Sequence, residues 1–368
     1  MASNHFDVVI IGAGLSGIGA ASHLERDAPN KTYAILESRS AMGGTWDLFR
    51  YPGVRSDSDM HTLGYSFKPW KHERAIADGP AILDYIRETA KEYDVAKHIR
   101  YNQRASKISW DSASATWTIS IKQEGKRASK ITCNFIYSCT GYYNYEKGYT
   151  PDFEGVEQFK GQIVHPQQWP EDLDYSGKNV VVIGSGATAI TVVPSMAKTA
   201  KHVTMLQRSP TYVVSRPSKD KFALKLARYL PANLAYLITR WKNVSMQALI
   251  YQYSRRRPEK MKAALLSLTR KELGGKVDVD THFNPSYNPW DQRLCLVPDG
   301  DLFRSLRKGT SSVVTGHIKT FTKTGIKLES GDLLKADLVV SATGLELLPM
   351  GGMAIEVDGK LMSLADTI

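Results

Sequence analysis

Three glycines near the start of the chain have the spacing of a turn that binds a dinucleotide. In DVVIIGAGLSGIGAASHL, Gly12, Gly14 and Gly17 follow a short apolar run that predicts a strand. The first glycine permits a tight turn, the second lets backbone approach a pyrophosphate, and the third lets the next helix pack closely on the strand. The N-terminus of that helix would face the phosphates. A lone G-x-G-x-x-G motif is weak evidence, so the residues around it decide its meaning.

The segment after the predicted helix supports a dinucleotide site. TYAILES predicts a second strand, and Glu37 stands at its end, 25 residues after Gly12. A carboxylate in this place can accept hydrogen bonds from the hydroxyls of a ribose. Ser16, in the first turn of the helix, carries a hydroxyl that can reach a phosphate. Strand, glycine turn, helix, strand and acid together predict that this part of the chain binds a dinucleotide.

A second glycine turn lies in the middle of the chain. KNVVVIGSGATAITVVPSM carries Gly184, Gly186 and Ala189 after an apolar run, and the next predicted strand, HVTMLQRSP, ends in Arg208 and Ser209 instead of an acid. A cation with a hydroxyl suits the 2′-phosphate of NADPH, whereas an acid would repel it. The alternative is an exposed arginine with no ligand. The position is the one at which this fold discriminates between cofactors, which favours NADPH.

The two turns differ at the discriminating position, where one has an acid and the other a cation. We therefore expect FAD in the first site and NADPH in the second. Such a pair of cofactors predicts an oxidoreductase that passes a hydride from the nicotinamide to the flavin.

Composition places the chain among globular proteins of about two domains, with 368 residues and a net charge of +11. Much of the positive charge lies in residues 219–276, in KDKFALKLARYL and YQYSRRRPEKMKAALLSLTRKEL, which predict basic amphipathic helices. Such helices could make a weak peripheral contact with an anionic membrane. A solvated helical insertion with one face packed on the body is the favoured alternative. No nucleic-acid motif accompanies the charge, so we expect no nucleic-acid partner.

The remaining composition indicates a cytoplasmic protein without a metal. The longest apolar run, from Val8, is too short to span a bilayer and has no basic leader before it. Cys133, Cys139 and Cys295 form neither a metal-ligand pattern nor an even set for disulfides. We interpret them as inert thiols in a reducing compartment.

Two further segments resemble each other, FIYSCTGYY and ADLVVSATGLE, and each is a short apolar run that ends in Thr-Gly. They indicate where the chain leaves the first domain and where it returns. We expect an α/β fold with two Rossmann-like dinucleotide-binding domains, the NADPH domain being inserted into the FAD domain. The expected boundaries are 1–145 and 335–368 for the FAD domain, 146–175 for a linker, and 176–334 for the NADPH domain, with a helical insertion at about 219–276.

The expected linker carries a family motif. FKGQIVHPQQWP matches F-x-G-x-x-x-H-x-x-x-W-P at Phe159, Gly161, His165 and Trp169. By this motif, and by GGTWDLFRYPGVRSDSDM, the chain resembles the type I Baeyer–Villiger monooxygenases, which are class B flavin monooxygenases. Pro166 and Pro170 of this segment predict neither a regular helix nor a regular strand. We interpret the linker as a hinge that His165 orients between the two cofactor folds.

The resemblance implies roles for individual residues. It implies that Arg293 and Asp57 are the catalytic residues and that their side chains form a pair. The residues implied for FAD are Gly12, Gly14, Ser16, Gly17, Glu37, Gly44, Thr45, Trp46, Asp47, Leu48, Asp57 and Ala105. The residues implied for NADPH are Arg55, Ser56, Asp57, Gly184, Ser185, Gly186, Ala187, Thr188, Ala189, Ile190, Arg208 and Ser209.

The resemblance also implies a reaction. It is the NADPH- and dioxygen-dependent Baeyer–Villiger oxidation of ketones to esters, together with S-oxygenation of sulfides and thioamides, through a flavin peroxide. A fixed guanidinium such as that of Arg293 would favour and stabilise the negative charge that this chemistry develops. The substrate would be a small ketone or sulfur compound.

Two other interpretations remain open. One is an N- or S-hydroxylating flavin monooxygenase or an NADPH oxidase. The other is a nucleotide-binding flavoprotein without catalytic activity, since members of the family continue well beyond the residue that ends this chain. We therefore expect a C-terminus that is truncated and an FAD domain that is incomplete. The physiological substrate and the oligomeric state are not indicated by the sequence.

Overall fold

The computed structural model describes residues 4–363, which form two compact units. The first unit takes the chain up to Leu48, then Pro80–Lys147 and the residues from Leu345 onward. The second unit takes Phe49–Gly79 and Gly148–Gly344.

The described residues of the two units combine β-strands with α-helices, as expected for an α/β protein. The strands are β1 (His5–Ile11), β2 (Tyr33–Leu36), β3 (Ile99–Arg100), β4 (Arg104–Asp111), β5 (Thr116–Lys122), β6 (Ser129–Ser138), β7 (Tyr143–Gly148), β8 (Gln162–Val164), β9 (Asn179–Ile183), β10 (His202–Gln207), β11 (Tyr212–Arg216), β12 (Leu294–Pro298), β13 (Ser311–Thr315), β14 (Ile318–Thr322), β15 (Gly325–Leu328), β16 (Leu333–Lys335), β17 (Leu338–Ser341), β18 (Leu345–Leu347), β19 (Ala354–Val357) and β20 (Lys360–Met362). The helices are α1 (Leu15–Asp27), α2 (Thr45–Leu48), α3 (Met60–Leu63), α4 (Gly79–Glu92), α5 (Ala187–Met196), α6 (Lys221–Tyr229), α7 (Ala232–Arg256), α8 (Pro258–Leu273), α9 (Val279–His282) and α10 (Asp301–Lys308), with short 3₁₀ turns at Ala96–His98, Val156–Gln158, Pro166–Gln168 and Pro349–Gly352.

The first unit is built on an eight-stranded sheet in the order β20-β19-β4-β5-β6-β1-β2-β3. Strand β1 lies between β2 and β6 and is parallel to both. Its central residues, Val9 and Ile10, are fully buried, as expected for a strand covered on both faces. The carboxyl ends of β1 and β2 therefore lie at the same edge of the sheet, where the first glycine turn begins.

The second unit is built on a five-stranded parallel sheet in the order β13-β10-β9-β17-β8. Strand β9 has the same place as β1 in the first unit: its residues Val181 and Val182 are fully buried, and α5 follows its glycine turn. Two smaller sheets accompany it, a parallel pair of β11 with β12 and an antiparallel set of β14, β15 and β16. The unit thus repeats the strand, glycine turn and helix of the first.

The units differ from the expected domain boundaries in three segments, one of which is the expected linker, since its residues 148–175 belong to the second unit. Residues 49–79 were expected in the first domain, but they belong to the second unit, because Tyr51 is buried in its core. Residues 335–344 were also expected in the first domain. They belong to the second unit because β17 pairs with β9 on one side and β8 on the other.

The expected linker is more regular than its prolines suggested. Residues Gln162–Val164 form β8, an edge strand that pairs in parallel with β17. Pro166 begins a 3₁₀ turn in which its missing N–H is no loss, because the first donors of a helix have no partner within it. The expectation that this segment has no strand was therefore wrong. Three residues at a sheet edge are too few to show the alternation of apolar and polar residues that predicts a strand.

Three helices, α6, α7 and α8, occupy the insertion that the charge pattern predicted. The 25-residue α7 buries only a narrow stripe that includes Ala235, Tyr236, Thr239 and Asn243. Among the described residues, no helix combines the length and the apolar composition that crossing a membrane requires.

Candidate functional site

The first glycine turn has a backbone that only glycine can provide. Gly12 has a φ of +105°, and a Cβ at this position would lie 2.4 Å from the carbonyl oxygen of Cys139. Its N–H donates to the carbonyl of Leu36, at the end of β2. At Gly17 a Cβ would lie 1.9 Å from the carbonyl oxygen of Gly12. The turn is therefore closed tightly between β6 and α1.

Glu37 is fixed beside this turn. Its Oε2 accepts from the N–H of Ala13 at 2.8 Å, and its Oε1 accepts from the N–H of Arg39, also at 2.8 Å. The side chain is only 5% exposed. Oε1 also accepts from the hydroxyl of Ser38 at 3.4 Å, whereas Oε2 retains a lone pair that can accept a hydrogen bond from a ribose.

A cavity of about 320 Å³ opens over the turn, and every residue around it belongs to the first unit. Five residues that the sequence assigned to FAD line it: Gly12, Gly14, Glu37, Gly44 and Ala105. The lining also includes residues that sequence reasoning missed, among them Arg39, Cys139, Thr140, Tyr143, Tyr145 and Met353. A glycine turn, a helix N-terminus and an acid around one cavity fit the ADP half of FAD.

The Gly44–Leu48 segment reaches this cavity through its first residue. A Cβ on Gly44 would lie 3.0 Å from the Cα of Gly14, so the two glycines let two backbones approach each other. Asp47 is instead buried and forms an ion pair with Arg39 at 2.8 Å. Of the described residues assigned to FAD, a further six do not line the cavity, namely Ser16, Gly17, Thr45, Trp46, Leu48 and Asp57. Asp47 therefore anchors the segment and does not face the cavity.

Tyr145 is the clearest residue that sequence reasoning missed. Its hydroxyl lies 3.4 Å from that of Thr45, and burial raises the pKa of the phenol. It lies four residues beyond Gly141, in the run of tyrosines that follows the first Thr-Gly segment. That aromatic run was the available signal, because a segment leaving a strand beside a glycine turn must border the same cavity.

The second glycine turn repeats the geometry of the first. Gly184 has a φ of +138°, and a Cβ there would lie 2.4 Å from the carbonyl oxygen of Ala342. Ala342 and Cys139 are the residues before the two Thr-Gly pairs that the sequence singled out. Each pair therefore ends the strand next to a glycine turn, and this shared position explains the resemblance between the two segments.

Arg208 and Ser209 are exposed directly after β10. Since β10 is parallel to β9, both strands end at the edge of the sheet where the second glycine turn lies. The strand end is held by Gln207, whose buried amide donates to the carbonyl of His282 and the hydroxyl of Thr315. The guanidinium is therefore carried by a fixed backbone at the place where a 2′-phosphate is read.

Two residues assigned to NADPH lie in the protein core and not at the surface of the glycine turn. Ala189 and Ile190 are fully buried in the core of the second unit, on the inner face of α5. Ala189 has the third position of the motif, which sets the distance between helix and strand. Ser185, Gly186, Ala187 and Thr188 form the turn and the start of α5, where an anion would meet backbone N–H groups.

The loop at residues 51–58 packs on α5 and α10. The hydroxyl of Tyr51 is hydrogen-bonded to the side chain of Thr188, and burial raises the pKa of that phenol. Gly53 has a φ of +78°, and a Cβ would lie 2.0 Å from Oγ of Ser195. The loop is thus seated on the helix that follows the second glycine turn.

Arg55 is held in this loop by a bidentate ion pair. Its Nη1 lies 2.5 Å from Oδ2 of Asp301, and its Nη2 lies 3.3 Å from Oδ1. Only 12% of the arginine side chain is exposed. Asp301 was not found from the sequence, because it lies 246 residues away. The pair fixes the plane of the Arg55 guanidinium.

Arg293 lies over the second glycine turn. Its Nη1 is 2.7 Å from the position that a Cβ of Gly186 would have, so glycine here makes room for the guanidinium. The backbone carbonyl of Arg293 accepts from the hydroxyl of Tyr287 at 2.9 Å. Its charge and the N-terminus of α5 therefore attract an anion to the same turn.

The expected pair of Arg293 with Asp57 is not formed. Within the described residues no ion pair joins the two groups: Asp57 is exposed, and the guanidinium lies against Gly186. Both groups act on Cys295. Burial raises the pKa of this thiol to about 12, Arg293 lowers it, and Asp57 raises it. They are thus near one another without contact, and the expectation of a direct pair was wrong.

Helix α7 holds both ends of α3, the short helix that begins after Asp57. At the N-terminus, Oδ1 of the buried Asp59 accepts from the N–H of Thr62 at 3.1 Å and from Nδ2 of Asn243 at 2.9 Å. Its Oδ2 accepts from Gln247 at 3.1 Å. The cap of α3 is thereby fixed by two amides of the helical insertion.

At the C-terminus of α3, Arg240 donates to three carbonyls. Its Nη1 lies 2.8 Å from the oxygen of His61, 3.1 Å from that of Thr62 and 3.3 Å from that of Gly64. A cation at the carbonyl end of a helix also complements its dipole. The insertion therefore positions the loop that carries Arg55 and Asp57.

His165 of the family motif at residues 159–170 is a structural residue of the second unit. Its Nε2–H donates to the carbonyl of Gly344 at 3.1 Å, and its Nδ1 accepts from the N–H of Gln167 at 3.1 Å. Burial lowers the pKa of the imidazole, and a protonated Nδ1 could no longer accept. The neutral ring thus ties the end of β8 to the end of the second Thr-Gly segment.

The other residues of the family motif also pack within this unit. Phe159 contacts Phe321 edge to face, with ring centroids 5.9 Å apart. A Cβ on Gly161 would lie 2.5 Å from the carbonyl oxygen of Asp337, and Trp169 packs at the border of the central core. The motif is therefore explained by the packing of β8 beside β17.

The fold and the site together define an oxidoreductase with two dinucleotide turns, one with a carboxylate at the next strand end and one with a guanidinium. A family model described as flavin-binding monooxygenase-like matches residues 5–272. The chain belongs to this family.

Comparison with known proteins agrees with this family. The chain is 54% identical over 367 residues to the FAD-containing monooxygenase EthA of Mycobacterium tuberculosis (strain ATCC 25618 / H37Rv), a match that covers 100% of this chain and 75% of the relative. The fold resembles that of an oxidized steroid monooxygenase bound to NADP, with a TM-score of 0.78, 24% identity, and coverage of 97% of this chain and 75% of that one. It also resembles an epsilon-caprolactone-bound cyclohexanone monooxygenase, with a TM-score of 0.76, 20% identity, and coverage of 95% and 76%.

These findings confirm the predicted fold class, the flavin cofactor and the class of enzyme, an FAD-containing monooxygenase.

Proposed function

We propose that the enzyme carries out a Baeyer–Villiger oxidation. A ketone, dioxygen, NADPH and a proton would give an ester, NADP⁺ and water, and sulfides or thioamides would take up one oxygen at sulfur. The observation that carries the proposal is the opposite charge of Glu37 and Arg208 beside two glycine turns of one geometry. The reaction class is supported by the fold shared with a cyclohexanone monooxygenase whose bound epsilon-caprolactone is the lactone of cyclohexanone.

The first unit would hold FAD in the cavity over Gly12 and Gly14. The N–H groups of the turn and the N-terminus of α1 would bind the pyrophosphate, and Glu37 would accept from the ribose. Ala105 and Tyr145 would border the bound cofactor. Bound FAD supplies the reaction with dioxygen, which none of the twenty side chains can carry out.

The second unit would hold NADPH. The turn from Gly184 to Gly186 would bind its pyrophosphate, and Arg208 with Ser209 would bind the 2′-phosphate. Arg55, fixed by Asp301, would contribute a further cation on the nicotinamide side. Dioxygen and a small ketone or sulfur compound complete the set of reactants.

Arg293 would supply a permanent positive charge to the reaction. Its guanidinium would lie over the turn, and the backbone carbonyl of the same residue is held by the hydroxyl of Tyr287. Its contact with Gly186 shows one position of the group, in which it would bind the phosphates of NADPH. Asp57, whose charge also reaches Cys295, would moderate this positive charge. We place the enzyme in the cytoplasm.

The test combines a spectrum with product analysis. The purified chain should carry FAD, visible by its absorption, and should consume NADPH with a panel of ketones and sulfides whose products are identified by mass. Ester or sulfoxide, with one oxygen added per NADPH, supports the proposal. Hydrogen peroxide as the sole product indicates an NADPH oxidase, an N-hydroxylated amine indicates the hydroxylating branch, and a colourless inactive protein indicates nucleotide binding without catalysis.

The role of Arg293 has its own test. Arg293→Ala should lower ester formation about a hundredfold to a thousandfold, as loss of one oriented donor does, while FAD remains bound. Arg304→Ala, at an exposed arginine of α10, is the matched control and should leave ester formation unchanged. Equal ester yield from Arg293→Ala and Arg304→Ala would reject the role.

A further inference from the structure

The positive charge of the chain is concentrated in one part of the fold. Residues 219–276, which include α6, α7 and α8, hold 14 of the 48 lysines and arginines and 3 of the 37 acids. The rest of the chain holds 34 of each, so the net charge of +11 resides entirely in this segment. An uneven distribution of this kind is typical of a surface that meets an anionic partner.

The same helices expose apolar side chains. On α7 the buried stripe includes Ala235 and Tyr236, whereas the opposite side carries Leu234, Leu237, Ile238, Trp241 and Leu249. Trp241 is 62% exposed and Leu249 is 67% exposed, and on α6 Tyr229 is 76% exposed. Folded monomers seldom leave such a continuous apolar face in water, so this face is suited to contact another surface.

Cations accompany this face without being neutralised. Among the described residues, no ion pair joins Lys225, Arg228 or Arg256 to a carboxylate, although other cations of the insertion are paired, as Lys242 is with Asp220 at 2.8 Å. Arg228 precedes the exposed Tyr229, and Arg256 stands at the end of α7. The face therefore presents apolar groups together with free positive charge.

We propose that this face, the exposed side of α6 and α7, binds the surface of an anionic lipid bilayer. Leucine, isoleucine and tryptophan enter the boundary between head groups and acyl chains, and lysine and arginine meet the anionic head groups. A nucleic acid would use the cations but offers nothing to the aliphatic side chains. A second copy of the chain would bring the same positive charge against itself. An anionic bilayer alone matches both features.

The experiment is sedimentation of the full chain with vesicles. It should sediment with vesicles of phosphatidylglycerol mixed with phosphatidylcholine, should stay in solution with phosphatidylcholine alone, and should be released by added salt. The double variant Trp241→Ser with Leu249→Ser should weaken binding by about tenfold or more, and so should Lys225→Glu with Arg228→Glu. Leu347→Ser, at a leucine of the first unit with 64% exposure, is the matched control and should leave binding unchanged.

Three results would overturn the proposal. One is equal sedimentation with charged and neutral vesicles, or no sedimentation with either. Another is tight binding of DNA or RNA that is lost in the double variant Lys225→Glu with Arg228→Glu but kept in Trp241→Ser with Leu249→Ser. That result would assign the face to nucleic acid. The last is a dimer in light scattering that Leu249→Ser dissociates, which assigns it to a second copy. All substitutions lie on exposed side chains, and unfolding curves of each variant confirm that the fold is kept.

Discussion

An alanine at the first glycine of each turn should separate the two cofactor sites. At Gly12 a Cβ would lie 2.4 Å from the oxygen of Cys139, and at Gly184 it would lie 2.4 Å from that of Ala342. Because contacts of a Cβ are essentially never shorter than 3.0 Å, either turn would have to open by about 0.6 Å against its neighbouring strand. Both obstacles are backbone atoms, so no change of rotamer relieves them.

The cost can be divided into two parts. A left-handed backbone costs an alanine about 1–2 kcal/mol. Forcing extra atoms into a packed site adds about 1–3 kcal/mol. Gly125→Ala and Gly177→Ala are matched controls, because they have φ values of +69° and +68° with nothing within 4 Å of the added Cβ. The control variants should lose only the backbone contribution of about 1–2 kcal/mol in the free energy of unfolding, and the two turn variants should lose about 2–5 kcal/mol in all.

The assay measures unfolding in urea, flavin content and NADPH affinity for each variant. Gly12→Ala should lose bound FAD, and Gly184→Ala should retain FAD and bind NADPH about tenfold or more weakly, since 1.4 kcal/mol is tenfold in affinity. Gly125→Ala and Gly177→Ala should keep both cofactors. The reasoning is refuted if Gly12→Ala retains FAD as firmly as Gly125→Ala, or if Gly184→Ala loses flavin while its NADPH affinity is unchanged.

Three further changes probe the second unit. Arg240→Met removes the donor to the carbonyls of α3 and should lower the free energy of unfolding in urea by about 2 kcal/mol, with less product formed per NADPH consumed. An unchanged ratio of product to NADPH would show that Arg240 contributes to stability alone. Asp301→Asn leaves the largely buried guanidinium of Arg55 without a carboxylate, and it should lower the free energy of unfolding by about 3 kcal/mol and raise the KM for NADPH. Wild-type values of both quantities would contradict the role of the ion pair. Burial lowers the pKa of His165 below its usual 6.5, so folding stability is complete above pH 6.5 and falls as the pH drops below it, because only the unfolded chain then takes up the proton. His165→Asn should flatten this part of the stability profile, and an equally steep profile in the variant would show that other groups cause it.

The parts that sequence reasoning predicted correctly are those governed by neighbours along the chain. A glycine turn needs glycine at its first two motif positions and glycine or alanine at the third, and the strand and helix on either side follow directly, so Gly12 and Gly184 are recognisable without a structure. The charge of residues 219–276 likewise indicated the helical insertion. In each case the cause lies within a few residues of its effect.

The parts that it missed depend on contacts between distant residues. Asp59 accepts from Asn243 across 184 residues, and Arg55 meets Asp301 across 246. Neither contact leaves a periodic pattern, and a buried carboxylate is indistinguishable in sequence from an exposed one. The segment 49–79 was assigned to the first domain for the same reason: it follows the flavin motif directly, yet Tyr51 packs beside α5.

The two Thr-Gly segments show how a correct observation can lead to a wrong boundary. Their resemblance suggested a pair of domain ends, and the structure gives a different cause. In each unit the strand next to the glycine strand must end with a carbonyl that presses on the first glycine, from Cys139 in one and Ala342 in the other. The second segment therefore has to belong to the unit whose turn it closes. A repeated motif that closes a turn locates the core of a dinucleotide fold, and the chain returns to the first unit for the last time after Gly344.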